Sequence, residues 1–198
     1  MKRALTKRIV IDGVLTAMAL AIWVVEAQIP LPLPVPGIKL GLANVVTLFA
    51  MFALGPLDAG VILLVRIGLG SVFGGGLTAF LFSLAGGALC YLLCLLLSLV
   101  VKDKQIWVLG ALGAVAHNAA QIGVAIALTR TTGLVVYLPV LVAAGVITGT
   151  FTGLAAQASY LALKRTTLLA GLKGGAPLPK EPDDVASEED ETEKKNQK

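Results

Sequence analysis

Charge is the scarcest property of this sequence. Only 14% of its 198 residues are Asp, Glu, Lys or Arg, where a soluble domain carries about 25%. Aromatic residues make up 6%, and there are two cysteines and one histidine. So little charge excludes an ordinary soluble globule, because a domain of this length leaves much of its surface in water. The two cysteines, Cys90 and Cys94, lie one helical turn apart in one apolar run. That spacing is poor for an easy disulfide, and they read as small, soft packing residues rather than as a metal or redox pair. Also missing is any Gly-x-x-x-x-Gly-Lys-Ser/Thr loop, so ATP hydrolysis by this chain is excluded; Gly74–Gly76 lacks the lysine and reads as a loop.

What remains is apolar: 57% of residues are hydrophobic, and the mean hydropathy is +0.87. Lipid is the solvent that fits such a chain. A membrane-spanning helix takes about 20 mostly apolar residues, fewer where the bilayer thins. With that window, helices are expected over Ile9–Ile29, Leu40–Leu54, Leu57–Phe73, Leu77–Val101, Ile106–Leu128 and Leu138–Leu163. Breakers separate them: the Pro30–Gly37 run, Gly55-Pro56, Gly74–Gly76, Lys102-Asp103-Lys104 and Thr131–Gly133. The expected fold is therefore all-α, a polytopic membrane bundle of six transmembrane helices spanning residues 1–172.

The charges that do occur are sorted. From Lys173 onward five lysines face eight carboxylates, whereas residues 1–172 hold eleven Lys and Arg against Asp12, Glu26, Asp58 and Asp103. The overall charge of +4 is thus no sign of nucleic-acid binding. Lys2, Arg3, Lys7 and Arg8 precede the first helix, Lys102 and Lys104 join the fourth to the fifth, and Lys164 and Arg165 end the sixth. The positive-inside rule places both termini in the cytoplasm, which six spans satisfy. The first segment is too long, and too interrupted by Asp12, for a cleaved signal peptide. Residues 173–198 are proline-bearing and acidic, the pattern of a disordered, charged cytoplasmic tail.

Ionisable residues inside lipid are expensive and point to function. Arg66 sits mid-way along helix 3. His117, Asn118 and Gln121 sit in helix 5, with His117 and Gln121 one turn apart on one face. Lys39 and Asn44 open helix 2 from the outer side, where Glu26 and Gln28 close helix 1. Each has a plain alternative: Arg66 as a structural ion-pair member, His117 as a satisfied packing residue, Lys39 and Glu26 as interfacial groups. Together they suggest an outer-half cavity richer in cations than in carboxylates, with aliphatic walls. Such a lining suits an anionic head group on an apolar body. Small residues are patterned as well. Ala17 and Ala21 form an Ala-xxx-Ala pair, and Gly145, Gly149 and Gly153 form a ridge on helix 6, both suited to close helix packing inside the bundle or against a partner.

The stretch Pro36-Gly37-Ile38-Lys39-Leu40-Gly41-Leu42-Ala43-Asn44, followed in order by Arg66, Ser83-Leu84-Ala85-Gly86-Gly87, Ala116-His117-Asn118 with Gln121, and Tyr137-Leu138-Pro139, carries a family resemblance. The chain resembles the bacterial Gx transporter family, also described as heptaprenyl diphosphate synthase component I, from helix 1 to helix 6. That family is similar in architecture to the substrate-binding S components of energy-coupling factor transporters. The resemblance implies a multi-pass protein of the bacterial cytoplasmic membrane that takes a small-molecule substrate near the outer face. It also implies a transmembrane coupling protein and ATPase subunits as partners, with Ala17 and Ala21 at the coupling contact and membrane lipid around the rest. Gln28, Lys39, Asn44, Arg66, His117, Asn118 and Gln121 are then the substrate-binding set, gated by the loops joining helices 1–2 and 3–4. No cofactor, metal or catalytic residue is expected. The second reading is a non-catalytic accessory component of isoprenoid synthesis. Holding Mg²⁺ on a diphosphate takes Asp-rich clusters, and the only adjacent Asp pair, Asp183-Asp184, lies in the tail.

Overall fold

Six α-helices form the protein: α1 (Lys2–Glu26), α2 (Asn44–Ala53), α3 (Pro56–Gly70), α4 (Gly76–Ser98), α5 (Ile106–Thr129) and α6 (Leu138–Lys164). The structure is a computed structural model that describes residues 2–29 and 39–166. The Pro30–Gly37 breaker, Ile38 and the acidic tail lie outside the described residues, so the tail and the proposed helix 1–2 gate have no structural counterpart here. Among the described residues all regular structure is helical.

Exposure is inverted relative to a soluble protein. Glu26, Asp58, Arg66, His117, Asn118 and Gln121 are buried, while Leu57 and Phe151 are 80% and 78% exposed. A surface of this kind belongs against lipid, since water would penalise exposed aliphatic groups and hydrocarbon penalises unpaired polar ones. Five segments are long and apolar enough to cross a bilayer: Thr6–Glu26, Pro56–Phe73, Gly76–Ser98, Asp103–Thr129 and Thr132–Lys164. The protein is a multi-pass membrane protein.

The departures from the expected helices are local and have causes. The helix expected over Leu40–Leu54 is only ten residues, Asn44–Ala53, about 15 Å at the α-helical rise. Helix 1 ends at Glu26 rather than Ile29, and the chain passes through a turn at Ala27–Gln28. No open loop joins α3 to α4. Five residues, Ser71–Gly75, continue α3 as a wider π-helical turn, and the chain reverses at Gly76 with φ +62°, a left-handed conformation that glycine adopts without Cβ strain. The segment expected as a loop between helices 3 and 4 is thus a helical extension.

Ion pairs mark one end of the bundle. Arg8 of α1 makes a forked contact with Asp58 at the start of α3, its Nε donating to both carboxylate oxygens at 2.9 and 3.0 Å. Lys164 at the end of α6 pairs with Asp103 at the start of α5. Each pair matches a basic residue of the end that the sequence places in the cytoplasm with a carboxylate, while Lys7, Lys102, Lys104 and Arg165 beside them keep that end net positive.

Packing inside the bundle follows small residues. Across α4 and α5, Gly86 faces His117 and Gly113 faces Cys90 and Cys94. Across α5 and α6, a methyl group built on Gly149 would fall 2.4 Å from the Gly110 carbonyl oxygen, and one on Gly153 would fall 2.7 Å from the Trp107 backbone. The glycine ridge of α6 is therefore spent on α5, inside the molecule. Cys90 and Cys94 are buried and free, and Cys94 Sγ donates to the Leu109 carbonyl at 3.5 Å.

Candidate functional site

Three residues reach the middle of the bundle from three helices by simple arithmetic. Arg66 lies ten residues above Pro56, Asn44 nine residues above Ala53, and His117 eleven residues above Ile106. At 1.5 Å per residue these are all about 14–17 Å from the ends of their helices. Their side chains meet. Arg66 Nη2 points at Asn44 Oδ1 at 3.5 Å, and Asn44 Nδ2 lies 3.2 Å from His117 Nδ1. Gln121, one turn further along α5, brings its Nε2 within 2.9 Å of His117 Nε2.

Because α2 is so short, residues 39–43 carry the chain down to this depth outside the α-helix, with the Gly41, Leu42 and Ala43 carbonyls accepting in tight turns from the Asn44, Val45 and Val46 amides. Hydrocarbon does not tolerate unpaired backbone groups, so such a stretch persists only where protein satisfies it. Two side chains do so. The Lys39 N–H donates to Gln121 Oε1 at 2.9 Å, and Glu26 of α1 accepts from the Gly41 and Leu42 amides. Gly41 has φ +83°, and a Cβ there would sit 3.0 Å from His117 Cδ2. Both the conformation and the close approach require glycine. The Lys39 ammonium sits 3.4 Å above the centre of the Trp23 ring, a cation–π contact.

Hydrogen-bond logic fixes the state of His117. Gln121 Oε1 is taken by the Lys39 amide, so the group facing His117 Nε2 is the NH₂, which only donates. Nε2 must therefore accept, and the ring is neutral with its proton on Nδ1, beside the backbone of Gly86. A methyl on Gly86 would lie 2.6 Å from Nδ1, so the imidazole is seated against bare backbone. With Nδ1–H beside the Gly86 backbone, Asn44 lies along the ring edge at 3.2 Å and its Oδ1 faces Arg66 at 3.5 Å. His117 is the single histidine of the chain, so ¹⁵N chemical shifts of histidine-labelled protein should show one neutral Nδ1–H ring. A doubly protonated ring at neutral pH would contradict this network.

Of the sequence-derived set, the structure brings together Lys39, Asn44, Arg66, His117 and Gln121. Asn118 is fully buried but turns away, its Nδ2 donating to the Leu141 carbonyl at 2.7 Å and tying α5 to α6. Gln28 is exposed and reaches only the Val24 carbonyl at 3.5 Å, outside the cluster. Two participants were absent from that set. Glu26, read from sequence as an interfacial group, is 4% exposed and anchors the re-entrant stretch; Trp23 carries Lys39. No sequence signal separates Trp23 from an interfacial tryptophan. Glu26 was detectable only as the lone carboxylate near the outer end of helix 1.

Arg66 itself is 4% exposed, and its Nε has no hydrogen-bond partner among the described residues. The voids around Asn44 are small, about 20 and 10 Å³, room for roughly one water each. A larger apolar groove of about 330 Å³ runs between α1, α2 and α6, lined by Met18, Ile22, Val45 and Phe49 among others. Its upper end adjoins the cluster through Val45, next to Asn44, and Ile22, one turn from Glu26. Ala17 and Ala21 lie on an exposed face of α1, and a Cβ added at Gly13 on that helix would meet nothing within 4 Å. Among the described residues no group of three or more His, Cys, Asp or Glu is arranged to hold a metal ion.

A family model for heptaprenyl diphosphate synthase component I matches residues 15–159, more than half of the chain. The chain belongs to that family. The match begins within α1 and ends within α6, so it takes in every residue of the central cluster. As its description says, the family is a synthase component, which implies a protein partner for its members. No curated protein and no solved structure matches the chain.

Proposed function

We propose that this family member is a substrate-capture subunit of the bacterial cytoplasmic membrane, similar in role to an S component, that binds a small anionic or amphiphilic molecule. The observation that carries the reading is Arg66: a buried guanidinium at mid-membrane depth whose Nε has no partner among the described residues. A structural arginine at this depth is ordinarily matched by a carboxylate or by backbone carbonyls. The Asn44 amide and the N-terminal end of α2, where the helix dipole is positive, lie in the same place. The groove beside Met18 and Phe49 accommodates an apolar body. The exposed Ala17–Ala21 face would dock a transmembrane coupling protein, with ATPase subunits beneath it.

The family description favours a second reading, a non-catalytic accessory component of a prenyl diphosphate synthase. The two are separated in membranes from cells with and without the chain, by measuring uptake of radiolabelled monoanions alongside prenyl-chain elongation. Substrate capture expects uptake to fall at least tenfold without the chain while elongation is unchanged. Loss of elongation with normal uptake would assign the accessory role instead.

A further inference from the structure

Resting on the capture reading, we infer that the ligand carries a single negative charge, a carboxylate or its equivalent, and that a diphosphate is excluded by Glu26. The inference comes from the charges that face the cluster. Lys39 and Arg66 are cationic. Glu26 is the one carboxylate among the described residues of the cluster, and the tautomer argument makes His117 neutral. Residues 30–38 contain no ionisable side chain. Arg130 is exposed at the far end of α5, about 20 Å from His117 along the helix. Arg8 with Asp58, and Lys164 with Asp103, neutralise each other at the opposite end. The cluster is thus left with one positive charge in excess.

The geometry says where that excess sits. Glu26 commits itself to the Gly41 and Leu42 amides, which holds the re-entrant stretch down and keeps the carboxylate from turning to Arg66. Lys39 is held over Trp23. The unused donor edge therefore belongs to Arg66, through Nε and the Nη2 that Asn44 only weakly engages at 3.5 Å. A guanidinium edge with two adjacent N–H groups matches one carboxylate in a forked pair. A second or third negative charge on the same head group has no cation left to meet. It would face Glu26 in a medium where charge repulsion is poorly screened. Glu26 thus anchors the backbone and also limits the charge of what is admitted.

The test uses one apolar body with three head groups: geraniol, geranate and geranyl diphosphate, each titrated by equilibrium dialysis against the full chain in nanodiscs. Geranate is expected to bind at least tenfold more tightly than either of the others. In Glu26→Gln, which keeps an acceptor for the Gly41 amide but removes the charge, the diphosphate is expected to gain at least tenfold and the preference to narrow or reverse. Tighter diphosphate binding by the native chain would overturn the inference while leaving substrate capture standing, as would an unchanged diphosphate affinity in a folded Glu26→Gln. Should Glu26→Gln fail to fold, Lys39→Met decides: geranate binding drops at least tenfold if the charge excess matters, and an unchanged affinity overturns it. Saturable binding of none of the three would remove the capture reading itself, and this inference with it.

Discussion

Replacing Arg66 with methionine is expected to leave the protein at least as stable as the native chain while weakening capture of a monoanion about 100-fold or more. The two halves of this result have the same origin. An arginine at the centre of a membrane helix costs roughly 2.5–3.5 kcal/mol to insert. Here that cost is poorly offset, because Nε has no partner and the contact to Asn44 is long. Replacing buried charged groups by apolar ones of similar volume is often neutral or stabilising by about 1–4 kcal/mol. Methionine fills much of the same space and can lie against Gly87 of α4, beside which the Arg66 guanidinium sits. Binding behaves oppositely, since removing the charged partner of a desolvated anion costs about 2–5 kcal/mol, and 100-fold corresponds to about 2.8 kcal/mol. Thermal unfolding in detergent and equilibrium dialysis with geranate read the two effects separately. Arg66→Lys should fall between them, keeping the charge but losing the planar fork. A marked loss of stability in Arg66→Met, with affinity retained by the surviving fraction, would make Arg66 a structural residue.

The largest loss of stability is expected from Gly149→Leu. An added Cβ at that position meets the Gly110 carbonyl oxygen at 2.4 Å, the Ala114 methyl at 2.6 Å and the Ala111 Cα at 2.8 Å. Two of those three atoms belong to helix backbone and cannot swing aside, so α5 and α6 must move apart along their whole contact. Overpacking a tight core costs typically about 1–3 kcal/mol and occasionally more, and this backbone collision belongs at or above the top of that range. Asn118, whose side chain crosses to the Leu141 carbonyl, would lose its partner as the helices separate. The control is Gly13→Leu on α1, where nothing lies within 4 Å of the added carbon; its stability should stay near that of the native chain. If the two variants melt alike, close approach of α5 and α6 is not what holds this half of the bundle.

The sequence and the structure divide along a physical line. Apolar length decides whether a segment crosses lipid, and that is written locally, so α4, α5 and α6 were legible to within a few residues. The α2 segment was not, because Lys39, Leu40, Gly41, Leu42 and Ala43 are apolar enough on average to extend a helix on paper. What stops the helix is distant in sequence: Glu26 and Gln121 satisfy the Gly41 and Lys39 amides and make a non-helical path cheaper. For the same reason Arg66, His117 and Gln121 stood out as polar groups in lipid, but their partners did not. Gln28 and Asn118 carried the same polar signal, yet one faces outward and the other braces α6, since helical phase alone does not say which neighbour lies opposite.

By itself, then, the sequence determined the solvent, the number of helices and the residues too costly to sit in lipid without a reason, because burial costs depend on each side chain's own chemistry. Tertiary structure alone decided that α2 is a half-length helix starting beside His117, that the α6 glycines are consumed by α5, and that Glu26 holds backbone rather than Arg66. Those outcomes depend on which hydrogen-bond donor each acceptor reaches first across the bundle, a matter of distances between residues far apart in the chain.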